Sequence, residues 1–291
     1  MQDYNKLIVA PQIVIYQNLL KCSDDLVDLI ENGKSLLWPK WKPWYSQGTN
    51  INQLFNRSQF INNSNDSDDL KKEKNILSHI CDVYDFVQED YLKDYAKEKG
   101  NWPAYIKQWN KVWEKLDPVH INIYKYDAEI FNKNSQEGLM LEYHVDEMPE
   151  SAFDGPWHQV ATITFYLNDN YEYGEICFYD ETQNKAYKYK PKKGDVTVFP
   201  SAAPFYHGVE HFSGNDRYFM RIFIPYSSEG DEEWLEKNVV YDQAYIADQE
   251  KKIDDFVAKY THAVTLQFPG QKVDKIHGKL VQLDEEINII E

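Results

Sequence analysis

The chain is poor in cysteine, with three among 291 residues: Cys22, Cys81 and Cys177. Their number is odd and no two have Cys-x-x-Cys spacing. Neither a disulfide framework nor a zinc knuckle is expected, and a reducing, cytoplasmic setting is the simplest. Positive charge is scarce too, with 31 Lys and Arg against 48 Asp and Glu, a formal net charge of −17 and a pI of about 4.9. Such a surface repels a phosphate backbone, which disfavours nucleic acid as a partner and suits a basic peptide or a small polar molecule at least as well. No apolar run is long enough to cross a bilayer, and the opening Met1–Gln12 lacks a basic stretch followed by an apolar one. No membrane association is expected. There is no internal repeat and no long low-complexity segment.

What the chain does have is apolar and aromatic content, 42% and 15% respectively, which predicts a packed globular protein. Residues 8–18 are apolar and β-rich, and Ser23-Asp24-Asp25-Leu26 has the form of a helix N-cap with acidic residues in the first turn, Gly33 being the stop. Residues 36–66 read as an irregular excursion rich in Trp, Asn, Ser and Gln. Ile76, Ile80, Val83, Phe86 and Val87 recur at three- and four-residue spacing and predict a helix from Asp69 to about Lys99, with a second over Pro103–Lys115. After Asp117-Pro118 the pattern turns to short strands over 119–126, 158–167, 174–180, 187–190, 195–199 and 217–224. The fold class this predicts is α+β: a double-stranded β-helix, or jelly-roll/cupin-like barrel, with N-terminal helices packed on one sheet. The helical support spans about 20–116 and the jelly-roll core about 119–225, within one domain of residues 1–225. Residues 226–291 read as a C-terminal helical extension, with a helix over 231–261 that supports the barrel or makes a homodimer contact.

The chemistry-bearing segment is Tyr143-His144-Val145-Asp146. Side chains at i and i+2 of an extended chain point the same way. His144 and Asp146 can therefore offer an imidazole and a carboxylate to one point. With a distant histidine they form a two-histidine, one-carboxylate facial triad, which suits Fe(II) and leaves positions open for a cosubstrate and O₂. The distant ligand is assigned to His207 in Phe205-Tyr206-His207-Gly208-Val209. Ten residues further on, Arg217 opens the strand Arg217–Ile224. Its rigid fork suits the far carboxylate of a cosubstrate that chelates iron at the other end, and 2-oxoglutarate is such a molecule.

At this point the chain resembles the 2-oxoglutarate/Fe(II) oxygenases of the prolyl 4-hydroxylase type. The resemblance rests on His144-Val145-Asp146, Thr162-Ile163-Thr164-Phe165-Tyr166-Leu167-Asn168, Gly174-Glu175-Ile176-Cys177-Phe178, Pro191-Lys192-Lys193-Gly194-Asp195, His207 and Arg217, in that order. It covers roughly residues 119–225, and the opening at residues 8–32 also looks like the start of that family's domain. It implies that Tyr166 bonds the C5 carboxylate beside Arg217 and that Tyr126 lines the same pocket. Two departures concern the substrate side: the loop between Tyr126 and His144 is longer than usual for the family, and Tyr173 stands where the first glycine of a Gly-Gly-Glu pattern is expected.

Each assignment has a plainer counterpart. His211 is the rival distal ligand, read instead as a loop hydrogen-bonder, and His158 reads as structural. Arg217 could be a salt-bridged strand residue, with Arg221 on the same face as the fallback cosubstrate ligand. Tyr166 and Tyr126 could be barrel packing. Trp38, Trp41, Trp44 and Trp157 could line a groove, though packing is the commoner role, and Cys177 reads as a small buried hydrophobe.

The activity implied is a dioxygenase using Fe(II), 2-oxoglutarate and O₂, with ascorbate as a reductant. A carboxylate at 146 favours hydroxylation over halogenation, which needs that position vacant. The substrate reads first as a prolyl or other residue of a peptide or protein. The alternatives are a free amino acid or small metabolite, and a cupin-like binding protein without turnover.

Overall fold

The computed structural model describes residues 4–10, 12–32, 35–44, 48–95, 111–112, 119–132, 139–146, 158–180, 184–201, 205–227, 273–276, 279–282 and 285–289. Two strands, β1 (Asn5–Ala10) and β2 (Ile13–Gln17), open the chain as an antiparallel pair. The β-rich run expected as one segment is broken between them, where Gln12 takes φ +70°. Helix α1 (Ser23–Glu31) follows, with Asp24 and Asp25 in its first turn facing the positive end of the helix dipole. Ser23 lies inside the helix and bonds the Leu20 carbonyl rather than capping, so the cap expected there is not made.

Next come β3 (Lys42–Trp44), β4 (Gly48–Phe55), a single 3₁₀ turn (Arg57–Phe60) and the long helix α2 (Asp68–Tyr95). The stretch 36–66, expected to be irregular, therefore holds a full strand. β4 escapes recognition because its sequence, Gly-Thr-Asn-Ile-Asn-Gln-Leu-Phe, alternates carboxamides with apolar residues and never forms an apolar run. Of the helix expected over Pro103–Lys115, the described part is instead a strand, β5 (Lys111–Val112), paired with the last long strand of the core; the remainder lies outside the described residues.

The core strands are β6 (Val119–Tyr126), β7 (Leu139–His144), β8 (His158–Tyr166), β9 (Tyr171–Tyr173), β10 (Ile176–Asp180), β11 (Lys185–Tyr189), β12 (Val196–Pro200), β13 (Phe205–Glu210), β14 (Phe212–Gly214) and β15 (Arg217–Ser227). A short helix, α3 (Ala128–Asn132), links β6 towards β7. One sheet runs β1-β2-β12-β8-β15-β6-β4-β3. The other contains β7-β13-β10-β11, and β9 pairs with β14 in a small ribbon. From β6 to β15 the chain crosses repeatedly between the two sheets, and β6-β15-β8-β12 and β7-β13-β10-β11 are the two halves of a double-stranded β-helix. No ladder joins the sheets among the described residues, so the expected barrel is an open pair of sheets and not a closed cylinder.

Beyond residue 226, the helix expected over 231–261 lies outside the described residues. The tail from Thr265, to which the sequence assigns no element of its own within the helical extension expected over 226–291, holds strands in its described parts: β16 (Val273–Ile276), β17 (Lys279–Gln282) and β18 (Glu285–Asn288). β16 pairs parallel with β7 and β18 parallel with β11, extending the second sheet at both edges.

Period-two alternation sorts the larger sheet into two faces. Val119, Ile121, Ile123, Ile163, Phe165, Met220 and Ile222 point one way and meet Leu26 of α1 and Leu77, Ile80, Tyr84 and Val87 of α2. Leu77, Ile80, Val83 and Val87 are fully buried, each contributing at most about 1.5–3 kcal/mol. The Tyr84 hydroxyl donates to the Phe223 carbonyl, which pins α2 to β15. The opposite face turns towards the second sheet and carries Tyr124, Tyr126, Thr162, Tyr166, Arg217 and Arg221. That interior is where the chemistry-bearing side chains converge.

Candidate metal centre and its surroundings

β7 and β13 run antiparallel with His144 directly across from His207. The two strands approach closely because residue 208 is glycine. A Cβ there would sit 2.8 Å from the Leu141 carbonyl oxygen and 3.0 Å from Leu139 Cδ1. The imidazole rings lie 4.2 Å apart between centroids, tilted by 47°. Asp146 follows just past the end of β7 and is 9% exposed. Its Oδ1 is 3.7 Å from His144 Nε2 and its Oδ2 3.6 Å from His207 Nε2. One ligand atom from each of the three residues lies within 4.8 Å of the others, and this is the one such cluster of His, Cys, Asp and Glu among the described residues.

The protonation states suit a cation. His144 Nδ1 lies 2.8 Å from the Glu142 carbonyl oxygen, so Nδ1 carries a proton and Nε2 is the nitrogen turned towards Asp146. Burial lowers the His207 pKa to about 3, helped by the charge of His144 and opposed by Asp146, so its imidazole stays neutral. Burial works against ionisation of Asp146, but Arg221, His207, His144 and the Thr162 hydrogen bond outweigh it and hold the carboxyl well below the usual range. A neutral His207 imidazole and an ionised Asp146 carboxylate are the states in which these groups bind a metal.

The carboxylate is held from two sides. Thr162 Oγ1 donates to Asp146 Oδ2 at 2.7 Å and lies 3.0 Å from Ser201 Oγ. Arg221 Nη1 donates to Oδ1 at 2.8 Å, and Arg221 Nη2 donates to the Tyr124 hydroxyl at 2.8 Å. The Phe199 ring packs against His207 at 4.5 Å and shields it from water.

Arg217, four residues before Arg221 on the same face of β15, is 2% exposed. At about 3.3 Å per residue the two Cα atoms stand roughly 13 Å apart. The Arg217 guanidinium carbon lies 5.7 Å from the Tyr166 and Tyr171 ring centroids and 5.3 Å from that of Phe219. Its Nε donates to the Tyr171 hydroxyl at 3.3 Å, and no carboxylate pairs with it among the described residues. Tyr126 sits across from Arg217 in the register, buried, its ring edge-on to Phe219 at 5.0 Å. The Tyr166 hydroxyl lies 3.5 Å from Thr197 Oγ1. Burial drives the Tyr166 pKa up and that of Tyr126 to about 12, so both keep their protons.

The structure thus brings His144, Asp146 and His207 to one point, and Tyr166, Tyr126 and Arg217 to another in the same interior. His211, the rival ligand, is outside the cluster, and its carbonyl accepts a bond from Gly174 N. Arg221, the fallback cosubstrate ligand, is engaged with Asp146 instead. The side chain of His158 lies outside the described residues. Thr162, Ser201, Tyr124 and Tyr171 were not singled out from the sequence. Thr162 shares a strand face with Tyr166 and was within reach of a period-two reading, whereas Tyr171 opens the three-residue β9 directly after the Asn168-Asp169-Asn170 turn, too short a strand to show a period.

Residues 130–225 match the 2OG-Fe(II) oxygenase superfamily. No curated protein matches the chain. Among solved structures it is similar to a Pseudomonas putida prolyl-4-hydroxylase at 11% identity and a TM-score of 0.42, over 75% of this chain and 94% of that one. It is similar to a Trichoplax adhaerens prolyl hydroxylase in complex with a hypoxia inducible factor peptide fragment at 14% and 0.43, over 77% and 86%. A third is the Arabidopsis thaliana dioxygenase for auxin oxidation in its 2-oxoglutarate complex, at 12% and 0.43, over 73% of this chain and 78% of that one.

Proposed function

We propose that the chain is an Fe(II)- and 2-oxoglutarate-dependent dioxygenase that hydroxylates an unactivated C–H bond, with a prolyl or other residue of a peptide as the first substrate class to test. The observation that carries this is the meeting of His144, Asp146 and His207 within 4.8 Å, in the same interior as a buried Arg217 without a carboxylate partner among the described residues. The donor set fits a hard-to-borderline divalent metal with open positions. The buried guanidinium, ringed by Tyr166, Tyr171 and Phe219, fits one end of a dicarboxylate.

In this reading His144 and His207 each present Nε2, and Asp146 presents a carboxylate whose orientation Thr162 and Arg221 fix. Arg217 binds the C5 carboxylate of 2-oxoglutarate with the Tyr166 hydroxyl beside it, and Tyr126 and Phe219 keep water from that end. Fe(II), 2-oxoglutarate and O₂, when bound, supply the oxidising power, while the protein supplies positions and a dry cavity.

The test is turnover with iron, 2-oxoglutarate and ascorbate across proline peptides and free amino acids. Succinate formation and a product heavier by one oxygen are expected. A Mn(II) titration followed by electron paramagnetic resonance should show one site in the wild type and none in His144→Ala. Absence of metal binding by the wild type would overturn the reading.

A further inference from the structure

Arg221 is only partly occupied by its role at Asp146. A guanidinium has five N–H donors, and here one goes to Asp146 and one to Tyr124. Of the remaining three, the Nε–H is buried and meets no acceptor among the described residues. A buried donor left unpaired costs about 1–3 kcal/mol, so its persistence marks a place where an acceptor arrives. The side chain is 23% exposed and lies between the rings of Tyr124 and Phe223, 5.1 and 5.0 Å from their centroids.

The wall around it is polar. Asn122 stands across from Arg221 on β6, and Asn52 of β4 stands across from Asn122. His120, on the same face of β6, hydrogen-bonds Asn52. Charge points the same way as the unmet donors. A divalent metal and two guanidiniums, set against the Asp146 carboxylate and a doubly charged 2-oxoglutarate, leave one positive charge over in the interior. An uncompensated charge in a largely buried site is costly, and an anion relieves it. The acidic outer surface acts through solvent and is screened beyond about 8 Å, so contact inside the cavity decides.

We infer that Arg221 receives a carboxylate of the substrate, so that the substrate class is carboxylic acids: either a free acid or the C-terminal residue of a peptide. This rests on the oxygenase reading above. Asn122, Asn52 and His120 then offer hydrogen bonds to the amide or other polar groups next to that carboxylate.

The experiment has two stages, both on the full chain loaded with Mn(II). The first is a calorimetric titration with 2-oxoglutarate, and failure there overturns the oxygenase reading itself. The second titrates the 2-oxoglutarate complex with the N-acetyl derivatives of the twenty amino acids, each as free acid and as C-terminal amide. Short peptides ending in the best of these residues, free or amidated, follow, to separate the two sources of the carboxylate. At least one acid should bind tenfold or more tightly than its own amide. In Arg221→Met that ratio should fall to within twofold, and Arg221→Lys should keep part of it. The inference is overturned if every amide binds as well as its acid in the wild type, or if the preference survives in Arg221→Met.

Discussion

Arg217 and Arg221 lie on one face of one strand, four residues apart, and live in different chemistry. Arg217 is sealed among the rings of Tyr166, Tyr171 and Phe219 and, among the described residues, donates only to a tyrosine hydroxyl. Arg221 is clamped to Asp146 and Tyr124 beside the histidines. The difference comes from the neighbouring strand: β8 brings Tyr166 across from Phe219 and Thr164 across from Arg221, while Asp146 drops in only at the second position. One sequence feature, an arginine facing inwards on β15, therefore gives a carboxylate clamp at one depth and, on the proposed reading, a carboxylate receptor at the other.

Paired substitutions break this comparison most sharply. Arg217→Met should weaken 2-oxoglutarate binding about a hundredfold, the loss of roughly 3 kcal/mol from a charge-assisted bidentate contact, and leave Mn(II) affinity nearly unchanged. Arg221→Met should do the reverse to the metal, lowering its affinity about 10–100-fold through the freed Asp146 carboxylate. Equal effects of the two variants on both ligands, in calorimetric titrations, would erase the distinction.

Acid sharpens it from the metal side. His207 has a folded pKa of about 3 against roughly 6.5 when unfolded, so the unfolded chain binds more protons between those values. Stability of the metal-free protein should be fully present above about pH 6.5 and fall by several kcal/mol towards pH 3. Urea melts of wild type and His207→Phe should show a shallower decline for the variant over that window. A slope unchanged by the substitution would put the protonation elsewhere.

Smaller effects are expected at the supports. Thr162→Val removes one hydrogen bond to a charged acceptor while Arg221 still holds the carboxylate, and should cost about 1.5 kcal/mol, seen as a metal affinity lower by about tenfold. Smallest of all is Tyr173, which takes φ +60° with a 64% exposed side chain just before Gly174 at φ +75°. Tyr173→Gly should raise thermal stability slightly, by about 1 kcal/mol or less, because relief of the left-handed strain is partly offset by backbone entropy. A marked loss of stability would mean that the ring makes a contact worth more than the strain.

Much of this interior was legible in the sequence. His144 and Asp146 share a face by period-two geometry, and the ten-residue step from His207 to Arg217 carries the chain from β13 through the turn into β15. The helix α2 announced itself because its buried residues follow a 3.6-residue period. β4 did not, since a strand that turns carboxamides inwards looks like a loop. Nor could the cap expected at Ser23 be judged without the Leu20 carbonyl that claims its hydroxyl. The Arg221–Asp146 pair was hidden for a related reason: 75 residues separate the partners, and nothing local specifies which arginine the carboxylate meets.

The polar wall has one more consequence. Asn52, His120 and Asn122 precede residue 130, whereas His144, Asp146, His207 and both arginines fall within the stretch 130–225 shared with the superfamily. On the proposed reading, the groups that would select a substrate and those that would hold the metal thus lie in separate parts of the polypeptide, which meet along the ladder between β6 and β15. If that reading holds, exchanging the first part between relatives should change the molecule accepted and leave metal binding intact.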